Sequence, residues 1–270
     1  MSLHWLRIPS KAGQVTRYSG MDCVSKCLDK QHFENYDVPI IYNYNSRGFR
    51  DSEWPDLFDN VIWCIGDSFT VGIGSPIEHT WPYLLCKSSG YTTINVSMDG
   101  ASNNWIFRIV KAILNEFDHA KIVLHWSYIH RRELDENTAL AIKWRKFYHD
   151  VKDPSWPHCE YHEIDNLSSA IKSEICHLHG WENKVYDDER LVHSTKSSVY
   201  EDLENTNEFV KQLPNNIIQS SIPFWTPPGV NISHAGLIHT KQIDKARDGH
   251  HYDILTAKWL VDKILSAADW

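Results

Sequence analysis

No run of this chain approaches the roughly 18 consecutive apolar residues that cross a bilayer. The opening stretch, MSLHWLRIPSKAG, also lacks the apolar core of a secretory leader. The sequence therefore reads as a soluble, cytoplasmic protein with no membrane partner. Positive charge is short too: 27 Lys and Arg stand against 35 Asp and Glu, a net charge of −8. Proteins that grip a phosphate backbone draw their affinity from clustered Lys and Arg, so nucleic acid is not expected as a partner. Cysteine is sparse. Cys23, Cys27, Cys64, Cys86, Cys159 and Cys176 are scattered over 270 residues, and Cys64 sits in an apolar run, which favours reduced thiols over a disulfide framework. Repeats and low-complexity tracts are absent, so one domain spanning 1–270 is expected.

Tryptophan, by contrast, is abundant. Twelve are too many to ignore: some, such as Trp63, belong in a core, and the remainder leave room for aromatic platforms in a binding cleft.

Strand and helix signals alternate along the chain. Val61, Ile62, Trp63, Cys64 and Ile65 form a short apolar run, the pattern of a strand covered on both faces. A short helix is expected over 78–87 with Thr80 as its cap, and a second strand over 92–96. A strong helix follows, with Ser102 as N-cap and Ile106, Ile109, Val110, Ile113 and Phe117 at helical spacing. Residues 121–126 (KIVLHW) make a third strand, 217–224 a fourth, and 253–268 a last helix. This alternation implies a parallel sheet sandwiched between helices. Helices are also expected over 137–150 and 166–178. The first 55 residues lack periodicity and read as an extension wrapping the core; residues 131–200 read as an insertion or lid.

Candidate chemistry begins at "CIGDSFTVGIG", residues 64–74. Ser68 falls just past a central strand, where open α/β sheets place their chemistry. It is either a nucleophile or a small residue in a tight turn, and a nucleophile needs a base that is itself oriented. The stretch "KARDGHHYD", residues 245–253, puts Asp248 three residues before His251, close enough for the carboxylate to reach back to Nδ1. The alternative is a polar surface turn, and His250 competes for the same role. After the second strand, the loop carrying Gly100 can turn a backbone N–H into a shared cleft, or simply cap the following helix.

These motifs, in this order, resemble the SGNH/GDSL-type hydrolases: Gly66-Asp67-Ser68-Phe69-Thr70, the Gly100 loop, and Asp248-x-x-His251. The upstream "NSRGFRDSEWP", residues 45–55, is similar to the subset of SGNH-like proteins found in bacteria and phages. The resemblance covers about 45–126 and 245–268. It implies an α/β fold of SGNH or flavodoxin-like type, a three-layer α/β/α sandwich around a central parallel sheet. It also implies a Ser-His-Asp triad: Ser68 attacks an acyl carbonyl, His251 moves the proton, and Asp248 holds His251. The N–H groups of Ser68 and Gly100 would bind the oxyanion.

One family feature is missing. The third oxyanion donor, an Asn in a G-x-N-D stretch, has no counterpart in "HWSYIHRRE", residues 125–133. Ser127, Tyr128, His130, Asn103 and Asn104 are the candidates to replace it. Arg131 and Arg132 could pair with an anionic group on a substrate, or with Glu133 and Asp135. Arg50 reads as a structural fork rather than an anion contact. His158, Cys159, His162, Cys176, His177 and His179 are of zinc-binding type, but nothing fixes their spacing, so neither metal nor cofactor is expected. The reading is a serine esterase acting through an acyl-enzyme on a small-molecule or carbohydrate ester. An O-acyltransferase and a binding protein without turnover are the alternatives.

Overall fold

The computed structural model describes residues 3, 5–8, 11–18, 40–129, 196–223 and 236–270. Two short strands come first, β1 (Val15–Tyr18) and β2 (Ile40–Asn43), paired antiparallel with Val15 opposite Asn43. The main sheet follows: β3 (Val61–Gly66), β4 (Thr92–Ser97), β5 (Lys121–Trp126), β6 (Ile218–Ser221) and β7 (Leu237–His239). All its pairings are parallel and the order across it is β4-β3-β5-β6-β7. Counted along the chain, that is the 2-1-3-4-5 order of a doubly wound sheet, whose direction of winding reverses between β3 and β5. Ligand sites in such sheets lie beyond the carboxyl ends of the strands at that reversal.

The helices are α1 (Ser68–Val71), α2 (Trp81–Ser89), α3 (Asn103–Glu116), α4 (Lys196–Gln212) and α5 (Ile254–Ala267). Helices α2 and α5 pack together, and α3 and α4 meet separately, with Phe107 and Phe209 stacked at 5-Å scale (centroids 4.6 Å apart). The result is a three-layer α/β/α sandwich. Every residue of β3 is buried, which is why its sequence shows a continuous apolar run rather than an alternation. Its core neighbours include Val96, Val123 and Leu124 from the sheet, Ile106, Val110 and Ile113 from α3, and Leu260 and Ile264 from α5. Each such aliphatic side chain contributes roughly 1.5–3 kcal/mol by leaving water. Leu3, Leu6 and Phe49, from the N-terminal region, enter the same core. Trp63, Trp81 and Trp126 are fully buried, so these tryptophans serve packing rather than a cleft.

The expected strand over 92–96 extends to Ser97, and 121–126 matches β5. Strand β6 is shorter than the expected 217–224, since its register against β5 runs only from Ile218 to Ser221. Thr80 does stand at the N-cap of α2, yet its hydroxyl donates to the Ile77 carbonyl instead of capping. The paired β1 and β2, α4 and β7 had no clear sequence signal. β7 is three residues long, with Leu237 and Ile238 half-buried and His239 exposed, and α4 (KSSVYEDLENTNEFVKQ) has few apolar positions to mark a period. The helices expected over 137–150 and 166–178 lie outside the described residues, as does the 131–200 insertion except for its last five residues, which open α4. Among the described residues no helix is long and apolar enough to cross a membrane.

Candidate active site

Gly66 ends β3 and Asp67 caps α1, its carboxylate accepting the Phe69 N–H at 3.0 Å. Ser68 is therefore the first residue of a short helix, 2% exposed, beyond the strand at which the winding of the sheet reverses. Asp67 has a second tie: Ser127 Oγ, just past the end of β5, donates to its Oδ2 at 2.7 Å. The chain then leaves α1 through Gly72 at φ +77°. A Cβ there would lie 2.2 Å from Thr80 Cγ2, so only glycine fits.

Arg50 fixes this departure. Its guanidinium donates to the carbonyls of Val71 (2.9 Å), Gly72 (2.6 Å) and Ser75 (2.8 Å) and lies over the Tyr42 ring. It is 1% exposed, and among the described residues it has no carboxylate partner. The structural fork read from the sequence is what is found, with α1 and its loop as the gripped element. Tyr42 adds one more contact from β2, its hydroxyl accepting the Gly74 N–H at 2.8 Å. Burial raises the Tyr42 phenol far above its usual range, so it remains a neutral partner to Gly74.

The second half of the site comes from residues 246–253. Asp248 is completely buried and holds its own loop: Oδ1 accepts the N–H groups of His250 (2.9 Å) and His251 (3.0 Å). Its Oδ2 takes the His251 ring at Nδ1. A carboxylate can only accept, so Nδ1 carries the proton and Nε2 presents its lone pair. That Nε2 lies 2.8 Å from Ser68 Oγ. The loop docks on the one following Ser68 through the Arg247 N–H, which donates to the Gly74 carbonyl at 3.1 Å. Gly74 has φ +78°, and a Cβ on it would sit 3.0 Å from Asp248 Cγ and 2.9 Å from Ala246 Cβ. The close approach of Asp248 needs that bare backbone. His250, the competing imidazole, faces elsewhere: its Nε2 is 2.9 Å from the Tyr128 hydroxyl.

Three of the candidate residues thus form one chain of contacts, Asp248–His251–Ser68. Of the candidate anion donors, Gly100 sits in a turn at φ +73° between β4 and α3. Among the described residues, no acceptor is found for the N–H of Ser68 or of Gly100. Asn103 and Ser127 are placed differently from the sequence expectation. Asn103 is 1% exposed, and its amide donates to the Ser127 carbonyl (3.1 Å) and Thr206 Oγ1 (3.4 Å). It also accepts the Ser127 N–H at 2.8 Å. Both amide hydrogens are engaged, one tying α3 to the end of β5 and the other to α4, and the Ser127 hydroxyl hydrogen is directed at Asp67. Neither side chain carries a spare donor. Asn104 is exposed on α3, while Arg131, Arg132, His130 and the His/Cys group at 158–179 lie outside the described residues. Among the described residues no cluster of metal-ligating side chains occurs.

Sequence reasoning gave no role to Asp67 or Asp253. The first had a usable signal, since Asp before a short helix is a favoured N-cap.

No protein-family model and no curated protein matches this chain. Several solved structures are similar to it. A member of the lipolytic protein G-D-S-L family from Veillonella parvula is 13% identical, over 76% of this chain and 70% of that one, with a TM-score of 0.29. A carbohydrate esterase family 2 enzyme from Corynascus thermopiles is 12% identical, over 81% and 69%, with a TM-score of 0.34. The esterase AlinE4, of the SGNH-hydrolase family, is 17% identical, over 59% of this chain and all of that one (100%), with a TM-score of 0.21. At such identities and TM-scores the likeness assigns no role to any residue here.

Proposed function

We propose that this chain is a serine hydrolase of the SGNH type, cleaving carboxylic esters through an acyl-enzyme. One observation carries the reading: Ser68 Oγ lies 2.8 Å from an imidazole whose other nitrogen is held by the buried carboxylate of Asp248. A hydroxyl, a base and an orienter in hydrogen-bond reach are the parts that make a weak nucleophile reactive.

In the first step Ser68 Oγ bonds to the ester carbonyl carbon while His251 Nε2 takes its proton. The carbonyl oxygen becomes an oxyanion that accepts hydrogen bonds from the N–H groups of Ser68 and Gly100. The C–O bond to the alcohol then breaks, and His251 returns the proton to the departing oxygen. Water repeats the sequence on the acyl-Ser68 ester and releases the acid. Throughout, Asp248 stabilises the imidazolium without taking its proton. The substrate class within this chemistry is a small-molecule or sugar ester, and acyl transfer to a sugar hydroxyl shares the covalent step.

A second reading, ligand binding without turnover, is favoured by one feature of the site. Asn103 and Ser127 are engaged elsewhere, leaving two backbone donors for the oxyanion. A lost donor costs about a hundredfold in rate.

A fluorophosphonate probe separates the two. The hydrolase reading expects a covalent adduct on the peptide carrying Ser68, found by mass spectrometry, and none in Ser68→Ala. A folded wild-type protein that takes no label would favour binding alone.

A further inference from the structure

Asp253 stands at the N-cap of α5, two residues after His251, and its side chain makes no capping bond. The capping has been handed to a remote carboxylate. Asp244 Oδ2 accepts the Leu255 N–H at 2.8 Å, and its Oδ1 accepts the Thr256 N–H at 2.9 Å and the Asp253 N–H at 3.3 Å. An N-cap Asp normally satisfies those first-turn donors itself. Freed of them, the Asp253 carboxylate turns the other way. Its Oδ1 accepts from Ser75 Oγ at 2.9 Å and faces His79 Nδ1 at 2.8 Å. Ser75 and His79 belong to the segment that leaves α1, the same segment Arg50 grips by its carbonyls.

We infer that Asp253 is a positioning residue: with Ser75 and His79 it braces the loop carrying His251 against the loop carrying Ser68, and protonation of His79 tightens that brace. The inference rests on the hydrolase reading for its catalytic consequence, though the brace itself does not. Ser75 is 2% exposed and Asp253 is 8% exposed, so the Ser75 contact lies out of water and the His79 contact is partly buried, which strengthens charge-assisted bonds. Three acidic groups face His79: Asp253 from α5, Asp244 from the preceding loop, and Glu78 beside it in the chain. The hydrogen bond to Asp253 is the main cause that raises the His79 imidazole above its ordinary range, with the acidic neighbours adding to it and partial burial opposing it. His79 therefore keeps its proton to higher pH than a free histidine.

Two readouts test the brace on the whole chain. The first is amide hydrogen exchange over residues 246–252, which needs no catalysis. The second is the rate of fluorophosphonate labelling at Ser68, from about pH 5 to about pH 9. Asp253→Asn is the main variant, because Asn suits a helix N-cap as well as Asp and the fold is retained. It is expected to exchange those amides several-fold faster and to label about tenfold more slowly, the consequence of a small misalignment between base and nucleophile. In the wild type, labelling should carry a fall of about threefold where His79 loses its proton. In His79→Ala that fall should vanish, the rate staying on the lower plateau. Wild-type exchange rates in Asp253→Asn would overturn the brace, and an alkaline decline that persists in His79→Ala would overturn the role of His79. If the wild type takes no label, the nucleophile reading fails, and the exchange data alone decide the brace.

Discussion

Two regions of this chain each hold a buried imidazole between two oxygen atoms, and they do different work. Near the carboxyl end of β5, His125 is fully buried. Its Nδ1 faces Ser220 Oγ at 2.8 Å and its Nε2 faces the Tyr252 hydroxyl at 3.3 Å. Ser220 donates its own hydrogen to the Leu124 carbonyl, so it accepts from Nδ1–H, and Nε2 accepts from Tyr252. Both partners are neutral, and burial pushes the imidazole down to about 3. His125 is locked in the uncharged form and ties β5 to β6 and to the loop ahead of α5. At the end of the sheet, His251 has a carboxylate where His125 has a hydroxyl, and a serine at a helix start where His125 has a phenol. The lesson is that burial alone makes a histidine structural. A charged orienter is what lets it accept a proton in the course of a reaction.

Replacing that orienter should break the contrast most completely. Asp248→Asn leaves His251 with a neutral partner, as His125 has, and frees Nδ1 from its role as obligatory donor. Ester hydrolysis should fall about a thousandfold or more with the fold kept, checked by kcat alongside circular dichroism. Activity within tenfold of wild type would show that the carboxylate is not what separates the two histidines. Next in size is Gly74→Ala, which disturbs the carboxylate without removing it. A Cβ there meets Asp248 at 3.0–3.1 Å, and the residue must hold φ +78°. The left-handed conformation costs about 1–2 kcal/mol, and displacement of Asp248 should lower kcat about tenfold to a hundredfold. Unchanged kinetics would mean that the Asp248 loop can shift freely.

The smallest effect on activity belongs to the other histidine. His125→Gln should cost about 1–3 kcal/mol of stability, by leaving a buried hydroxyl less well paired, and change kcat by less than about fivefold. It should also alter the response to acid. Since the folded state holds His125 neutral down to about 3 against an ordinary 6.5, unfolding takes up a proton in between. The stability tied to His125 is therefore complete above pH 6.5 and drains away as the pH falls toward 3, at up to about 1.4 kcal/mol per pH unit. Urea unfolding across that window should show a shallower acid loss in His125→Gln than in the wild type. A thousandfold loss of kcat from this substitution would erase the distinction between the two regions.

Much of the core was legible because it is written locally. Residues 61–66 and 121–126 are apolar runs bounded by turn residues, and α3 announces itself by Ser102 and the spacing of Ile106, Ile109, Val110 and Ile113. Ser102 Oγ does accept the Trp105 N–H, as a cap should. β7 and α4 were invisible for the opposite reason. Three residues, two half-buried and one exposed, carry no period, and a polar helix is held in place by a few contacts such as Thr206 and Phe209 with α3. Asn103 shows what a local reading leaves out. Its amide pairs with the Ser127 backbone at the end of β5, accepting the N–H and donating to the carbonyl, 24 residues along the chain.

The sequence by itself determined what depends on neighbours a few residues apart. The buried strand before Ser68, the glycines that let α1 end, and the three-residue step from Asp248 to His251 all follow from short-range geometry. Only the tertiary structure decided that His251 meets Ser68, 183 residues away. It also decided which tautomer His251 holds, and that Asp253 turns from capping its own helix to face Ser75 and His79. The physical reason is that a hydrogen bond of this kind acts over about 3 Å. Which distant groups come within that reach is set by strand order and packing, and no local stretch of chain encodes either one.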